Sequence, residues 1–255
     1  MTELPLSTTL WLVLAATFAG LIDAIAGGGG VITLPALLAA GLPPHLALGT
    51  NKGQSVVGAL LALLRYSRAG LIDGARARLA FPLGLLGSWL GAELVLWLSP
   101  AALRPVVLAL LPLAAAAVVL GPRIRAGRAA PTPGAARFIA CAVALLIGAY
   151  DGFFGPGTGT FLIAAFVLLL GQDAVRASAD AKVVNFASNL AALLSFASAG
   201  VVSWSVALPM ALGQLAGAWA GTQLVLRGGE RVVRLAVVLV ALLLIGKVAA
   251  DMTGR

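Results

Sequence analysis

The sequence LIDAIAGGGGVITLPALLAAGLPPHLALGTNK, residues 21–52, decides the fold of the chain. An apolar run ends at four consecutive glycines, 27–30, and the next apolar run, Val31–Gly41, supplies only about 17 Å of helix. A helix needs about 20 residues to cross the hydrocarbon of a bilayer. A second glycine-rich break, residues 155–159, precedes an equally short run, Phe161–Gly171. Both short runs are therefore predicted to be half-helices or re-entrant segments.

The composition indicates a protein whose main solvent is a bilayer. Of the 255 residues, 61% are hydrophobic and only 10% are charged, whereas about a quarter of an average soluble domain is charged. The first apolar run, Leu10–Ala26, follows no basic segment and precedes no small-residue cleavage site, so it is expected to be retained. We predict an all-α, polytopic transmembrane helical bundle in the cell inner membrane.

A polar stretch rich in Pro, Gly and Arg lies at the midpoint of the chain. It divides the sequence into an N-terminal transmembrane repeat (residues 1–121), a cytoplasmic linker (122–137) and a C-terminal transmembrane repeat (138–255). The two repeats align at a constant offset that changes by two residues at the glycine break. The matched pairs are Asp23 with Asp151, Lys52 with Lys182, and Trp89 with Trp219. Matches of such rare residues in one register predict an internal duplication.

The distribution of arginine predicts that the two repeats have opposite orientations. The connection Arg65–Arg78 carries four arginines, but its counterpart Ser195–Ser205 carries no charge. Conversely, Trp97–Ala101 is uncharged while its counterpart Arg227–Arg231 is basic. Cytoplasmic loops of membrane proteins are enriched in Lys and Arg, so the repeats are expected to be inverted. The net charge of +8 then reflects topology and not binding to nucleic acid.

Charged residues recur at equivalent positions inside the apolar runs. An ionised group at the centre of a bilayer costs about 2.5–3.5 kcal/mol on insertion scales, so such residues are usually functional. Lys52 and Lys182 are predicted to bind substrate, with snorkelling or a structural pair with the aspartate of the same repeat as alternatives. Asp23 and Asp151 are candidates for proton coupling or for pairing with the lysines.

The glycine breaks complete a predicted anion site. The sequence GPGTGT, 155–160, resembles a phosphate-binding loop, but no nucleotide-binding motif or βαβ unit surrounds it. Either the glycines allow close helix packing, or each break exposes the positive end of a half-helix, which favours anions. The second interpretation gives a candidate substrate-binding set: Gly28, Gly29, Gly30, Asn51, Lys52, Gln54, Gly157, Thr158, Gly159, Lys182, Asn185 and Asn189.

Other residues suggest packing more than chemistry. Gly87 and Gly91, together with Gly213, Gly217 and Gly221, form small-residue stripes that are typical of helix packing and leave open a homodimer seam. His45 follows two prolines and is expected in a loop. No metal-binding or cofactor-binding pattern is found, and the single histidine argues against an enzyme.

The two glycine-containing segments resemble the paired signatures of the sulfite exporter TauE/SafE family. They are residues 21–52 and the stretch YDGFFGPGTGTFLIAAFVLLLGQDAVRASADAKVVNFASN, residues 150–189. The resemblance implies membrane transport of small, mostly sulfur-containing anions such as sulfite or sulfoacetate, usually outward. The predicted function is therefore secondary transport of a small oxyanion, with a passive anion channel as the alternative.

Overall fold

A computed structural model of the protein describes residues 4–103, 105–110 and 131–252, and these are helical apart from short connections. The principal helices, in chain order, are α1 (Leu6–Ala26), α2 (Gly30–Ala39), α3 (Pro44–Arg68), α4 (Gly74–Trp97), α5 (Pro133–Phe153), α6 (Thr158–Leu170), α7 (Ala174–Ser198) and α8 (Trp204–Met252). Residues 100–103 and 105–110 are also helical. The prediction of an all-α fold is confirmed for this part of the chain.

The helix α5 begins inside the segment that was predicted to be a linker. Thr132 caps the helix by accepting a hydrogen bond from the backbone N–H of Ala135, and Pro133 occupies the first turn, where its missing N–H costs nothing. The helix therefore begins within the segment 122–137 that was predicted to be a linker. Residues 122–130 of that segment lie outside the described residues.

The helix α8 is interrupted at Gly229. Its backbone there has φ 55° and ψ −144°, a conformation open to glycine but strained for other residues. The chain therefore changes direction at this residue, and α8 consists of two helical stretches on either side of it.

The helices α1, α3 and α8 run in the same direction along the bundle. Residue numbers rise together along their contacts, so the helices are parallel neighbours. The contacts are Gly213 with Val13, Gly221 with Leu21, Gly58 with Gln214, and Arg65 with Gln223.

The helices α4, α5 and α7 form a second parallel set. Their contacts are Gly87 with Leu145, Gly91 with Ala149, Gly84 with Val184, and Ser88 with Ser188. The two sets meet where α3 packs against α7 in the antiparallel sense. There Gly49 lies against Phe196 and Gly53 faces Leu193, so residue numbers fall on one helix as they rise on the other.

The glycine stripes pack within the chain. A Cβ atom added at Gly91 would overlap the carbonyl of Ala149, and one added at Gly217 would overlap the carbonyl of Thr17. Small residues thus let α4 approach α5, and α8 approach α1, at backbone contact distance. The packing role predicted for these glycines is confirmed. Because their faces are already occupied by α1 and α5, they do not form a seam between two copies of the chain.

The surface of the bundle is apolar, and its interior holds polar and charged side chains among the apolar ones. Large apolar side chains face outward on the helices, among them Leu14, Leu90, Trp97, Leu146 and Leu212. Of the described helices, three are long and apolar enough to cross a membrane: α1, α4 and α5. The helices α3 and α7 carry the buried lysines and asparagines instead. An apolar surface with the lysines and asparagines kept inside fits a protein surrounded by lipid.

The described arginines lie at one end of the bundle. This end is formed by the C-terminus of α3, the N-termini of α4, α5 and α7, and the first part of α8 as it reaches Gly229. The arginines there are Arg65, Arg68, Arg76, Arg78, Arg137, Arg176, Arg227 and Arg231. At the opposite end, the α2–α3 and α7–α8 connections, residues 40–43 and 199–203, contain no charged residue.

Candidate functional site

Both predicted helix breaks are present. The first helix ends at Ala26 and α2 begins at Gly30, and the N–H of Val31 donates to the carbonyl of Gly28 in a tight turn between them. The second break separates the end of α5 at Phe153 from the start of α6 at Thr158. The short runs after the breaks are thus separate half-helices, as the sequence predicted.

The two breaks touch each other. Gly27 has φ 70°, and a Cβ at this position would overlap the backbone of Gly159 in the other break. Thr160 donates a hydrogen bond across the same contact to the carbonyl of Ala26, at 3.0 Å. Only glycine satisfies both the positive φ and the close approach at residue 27. The N-terminal ends of the two half-helices therefore converge on one place in the bundle.

Two buried ion pairs lie beside the converging breaks. The Nζ of Lys52 is 2.8 Å from Oδ1 of Asp151, and the Nζ of Lys182 is 2.9 Å from Oδ2 of Asp23. The side chain of Lys182 is fully buried, and that of Lys52 is 2% exposed. Each lysine thus pairs with the aspartate of the other half of the chain. The alternative of a pair within one half is wrong.

The two aspartates have unequal surroundings. The carboxylate of Asp151 also accepts a hydrogen bond from Thr158 at 2.8 Å and a short one from Ser188. The carboxylate of Asp23 has, besides its lysine, only the backbone N–H of Gly29 at 3.4 Å. Its side chain is 14% exposed, compared with 2% for Asp151. Asp151 is therefore held firmly in place, while Asp23 is held loosely.

A small polar cavity lies between the ion pairs and the breaks. Its walls are formed by Asp23, Gly28, Gly30, Asn51, Lys52, Ser55, Asp151, Gly155, Thr158, Gly159, Asn185, Asn189 and Gln214. The cavity volume is about 20 Å³, which is room for about one or two water molecules. The structure thus brings most of the predicted site residues around one small cavity.

Four predicted site residues do not line this cavity. Gln54 lies behind it and donates hydrogen bonds to Asn51 at 3.1 Å and to Ser55 at 2.8 Å, so it supports two side chains of the wall. Lys182 reaches the wall through Asp23, donating to both its carboxylate and its backbone carbonyl. The other two, Gly29 and Gly157, belong to the breaks and stand just before the half-helices.

Three residues of the wall were not in the predicted set: Ser55, Gly155 and Gln214. The most informative is Gln214, which is 2% exposed and whose Oε1 has no hydrogen-bond partner within the described part of the chain. It is equivalent to Gly84 in the repeat alignment, so a search for polar residues repeated in both halves passes over it. A polar residue inside an otherwise apolar helix was the available signal.

His45 also differs from its prediction. It lies in the first turn of α3, not in a loop, and its Nε2 is 3.1 Å from the carbonyl of Val95. Pro44 occupies the first position of that helix, where proline is favoured, so the paired prolines start a helix.

The site is balanced in charge in the observed state. Two lysines face two aspartates, so neither lysine is free to act as an unpaired cation for an anion. The sequence predicted two lysines available to bind an anion, whereas in the structure each lysine is neutralised by an aspartate. One buried polar atom of the wall, the Oε1 of Gln214, has no hydrogen-bond partner within the described residues.

Broken helices that meet around buried charges in a polytopic bundle are characteristic of membrane transporters. Comparison with known proteins agrees with this class. Residues 12–248 match the sulfite exporter TauE/SafE family, and the chain belongs to that family. Membership makes the protein a transporter and not an enzyme.

The relatives extend over nearly the whole chain. "Probable membrane transporter protein ORF9" of a Sinorhizobium species is 38% identical over 99% of this chain and 97% of its own length. "Probable membrane transporter protein YfcA" of Escherichia coli K12 is 36% identical over 94% of this chain and 89% of its own. A "Probable membrane transporter protein" of Haemophilus influenzae is 37% identical over 91% of both chains. No solved structure matches the chain.

Proposed function

We propose that this protein is a secondary transporter of small anions that exports sulfite, sulfoacetate or a related oxyanion across the inner membrane. The observation that carries the proposal is the meeting of two broken helices at a cavity beside the crossed ion pairs, Lys52 with Asp151 and Lys182 with Asp23. Half-helix N-termini and lysines are the groups that bind oxyanions in a low-dielectric site. The sulfur-containing substrates follow from the family.

In the binding step that follows from the crossed ion pairs, the substrate anion takes the place of an aspartate carboxylate beside a lysine. An anion binds Lys52 once Asp151 releases it, and a proton taken up by that carboxylate removes the competing charge. Asp23 plays the same part for Lys182. The aspartates are therefore coupling residues, and the lysines, with Asn51, Asn185, Asn189 and the glycine breaks, are substrate ligands.

An inverted repeat accounts for the symmetry of these contacts. At the alignment offsets, the contact of Gly217 with Thr17 is equivalent to that of Gly87 with Leu145. The equivalent helices α3 and α7 run antiparallel. Exchange of the halves by a two-fold axis perpendicular to α3 and α7 would explain both the crossed ion pairs and this direction.

The orientation of the bundle follows from its arginines. One end carries the described arginines, and the connections at the other end are uncharged. We assign the arginine-bearing end to the cytoplasm. On this assignment, Lys52 and Lys182 each lie about 12 Å from the N-terminus of the helix that carries them. The two N-termini are at opposite ends of the bundle, so the lysines lie at similar depth from the two membrane faces.

Reconstituted transport tests this function. Purified protein in liposomes should take up labelled sulfite or sulfoacetate, and uptake should respond to an imposed pH gradient in the wild type but not in Asp23→Asn. Preloading with unlabelled substrate should accelerate uptake, because a carrier exchanges substrate while a passive channel does not. Transport without any acceleration would favour the channel, and no anion flux at all would contradict the proposal.

A further inference from the structure

A second charged cluster lies nearer the arginine-bearing end, outside the cavity. Arg76 at the start of α4 is 3.1 Å from Asp73 and 3.1 Å from Asp180 of α7. The backbone N–H of Asp73 donates to Asp180 at 3.0 Å, and Gln172 donates to the same carboxylate at 2.7 Å. One carboxylate thus ties together α4, α7 and the connection between α6 and α7.

The opposite end of the bundle has a neutral contact at the equivalent position. In the repeat alignment, Asp180 corresponds to Thr50 and Asp73 to Ser203. The backbone N–H of Ser203 donates to the hydroxyl of Thr50 at 3.0 Å. An equivalent backbone-to-side-chain hydrogen bond is therefore present toward each end of the bundle. The acceptor is a carboxylate in one of them and a neutral hydroxyl in the other.

The depth of these contacts places each between the cavity and one end of the bundle. Thr50 and Asp180 each stand two residues before a lysine of the ion pairs, on the side nearer the N-terminus of α3 or α7. Since α3 and α7 are antiparallel, the two contacts lie on opposite sides of the cavity.

We propose that the cluster of Asp73, Arg76, Gln172 and Asp180 is the cytoplasmic gate of the transport path, and that the contact of Thr50 with Ser203 is the outer gate. The proposal rests on the proposed function, since a carrier must open its site to one side at a time. In the observed state both contacts are formed, and the cavity volume is only about 20 Å³.

The cytoplasmic cluster contains buried polar atoms that lower the cost of breaking its ion pair. The Nε of Arg76 and the Oε1 of Gln172 are buried with no hydrogen-bond partner within the described residues. Unpartnered buried polar atoms are costly and regain hydrogen bonds when water enters. Opening would therefore break the ion pair but satisfy these two atoms, which reduces the net cost of opening.

Cysteine accessibility tests the gate without relying on transport. Ser55 lines the cavity, and the chain has one cysteine, Cys141, so Ser55→Cys in a Cys141→Ala background gives a single reporter. In inside-out vesicles, Asp180→Asn should raise its labelling by an impermeant maleimide at least tenfold. Thr50→Val should instead raise labelling from the outer face in right-side-out vesicles.

A nearby exposed ion pair provides the matched control. Asp173 and Arg176 stand at the start of α7, and their side chains are 53% and 64% exposed. Asp173→Asn should leave labelling unchanged from either side. Equal effects of Asp173→Asn and Asp180→Asn, or no effect of Asp180→Asn, would overturn the gate.

A reversible cross-link covers the case in which Asp180→Asn does not fold. In the Cys141→Ala background, an Arg76→Cys, Asp180→Cys pair bridged by a short bifunctional maleimide with a cleavable spacer should block anion flux, and cleavage should restore it. Full flux while bridged would contradict the gate even with the transport function intact. Absence of flux in the wild type would instead count against the proposed function.

Discussion

The Nζ of Lys52 lies 2.8 Å from Oδ1 of Asp151, and this contact joins the first half of the chain to the second. Its counterpart between Lys182 and Asp23 joins the same halves in the reverse direction. Because each lysine is neutralised by the other half, neither half has a complete site by itself. The ion pairs therefore serve both the assembly of the halves and the proposed binding of substrate.

Removal of one partner of the buried pair should be strongly destabilising. Lys52→Met leaves the carboxylate of Asp151 buried without its cation, a change that costs about 3–5 kcal/mol in comparable pairs. The melting temperature in detergent should fall sharply, and the double change Lys52→Met, Asp151→Leu should recover most of it.

Transport separates the structural and functional parts of this pair. The double variant should stay inactive in liposomes, because the anion ligand is gone although the fold is restored. Arg176→Gln in the exposed pair with Asp173 is the control and should change stability by less than about 1 kcal/mol. Normal transport by the double variant would mean that Lys52 only holds the helices together.

Replacement by asparagine should reduce the stability of the protein more at Asp151 than at Asp23. Asp151 accepts hydrogen bonds from Thr158 and Ser188 in addition to Lys52, whereas Asp23 has one weak backbone donor besides its lysine. A hydrogen bond to a charged group contributes about 1.5–3 kcal/mol. Asp151→Asn should therefore lower the melting temperature more than Asp23→Asn.

Two further contacts check the comparison of Asp151→Asn with Asp23→Asn. Lys182 also donates to the backbone carbonyl of Asp23, a bond that survives amidation of the side chain. Ser188→Ala should reproduce part of the effect of Asp151→Asn. If the two aspartate variants melt at the same temperature, the unequal surroundings do not matter energetically.

Much of the site was predictable because glycine, lysine and aspartate stand out in an apolar sequence. The breaks, both lysines and both aspartates were identified from their repetition at equivalent positions. The crossed pairing was not, because an alignment of two halves gives equivalence and says nothing about which equivalent residues touch. The partner is decided by the three-dimensional packing, which brings Asp151 of α5 to Lys52 of α3 and Asp23 of α1 to Lys182 of α7.

Residues without a repeated partner escaped the sequence analysis. Gln214 corresponds to Gly84, and Asp180 corresponds to Thr50, so neither gives a matched charge or amide. The start of α5 at Pro133 was missed for a different reason, since a Pro- and Arg-rich stretch indicates a linker unless the capping role of Thr132 is considered.

The proposed inverted topology can be tested with single cysteines in the Cys141→Ala background. Arg68 is exposed at the arginine-bearing end, and Ala199 is exposed at the other end. In intact cells an impermeant maleimide should label Ala199→Cys only, and Arg68→Cys should react only after the membrane is opened. Labelling of both from one side would contradict the antiparallel arrangement of α3 and α7 across the membrane.

Close packing at the glycine stripes should show the same cost in both halves. A methyl group at Gly91 meets the carbonyl of Ala149, and one at Gly217 meets the carbonyl of Thr17. Forcing extra volume into such contacts costs about 1–3 kcal/mol, so Gly91→Ala and Gly217→Ala should each lower the melting temperature by similar amounts. Gly134→Ala is the matched control, since a Cβ there meets nothing within 4 Å, and it should leave stability unchanged or slightly higher. Stability of Gly91→Ala equal to that of Gly134→Ala would show that α4 and α5 do not approach at backbone distance.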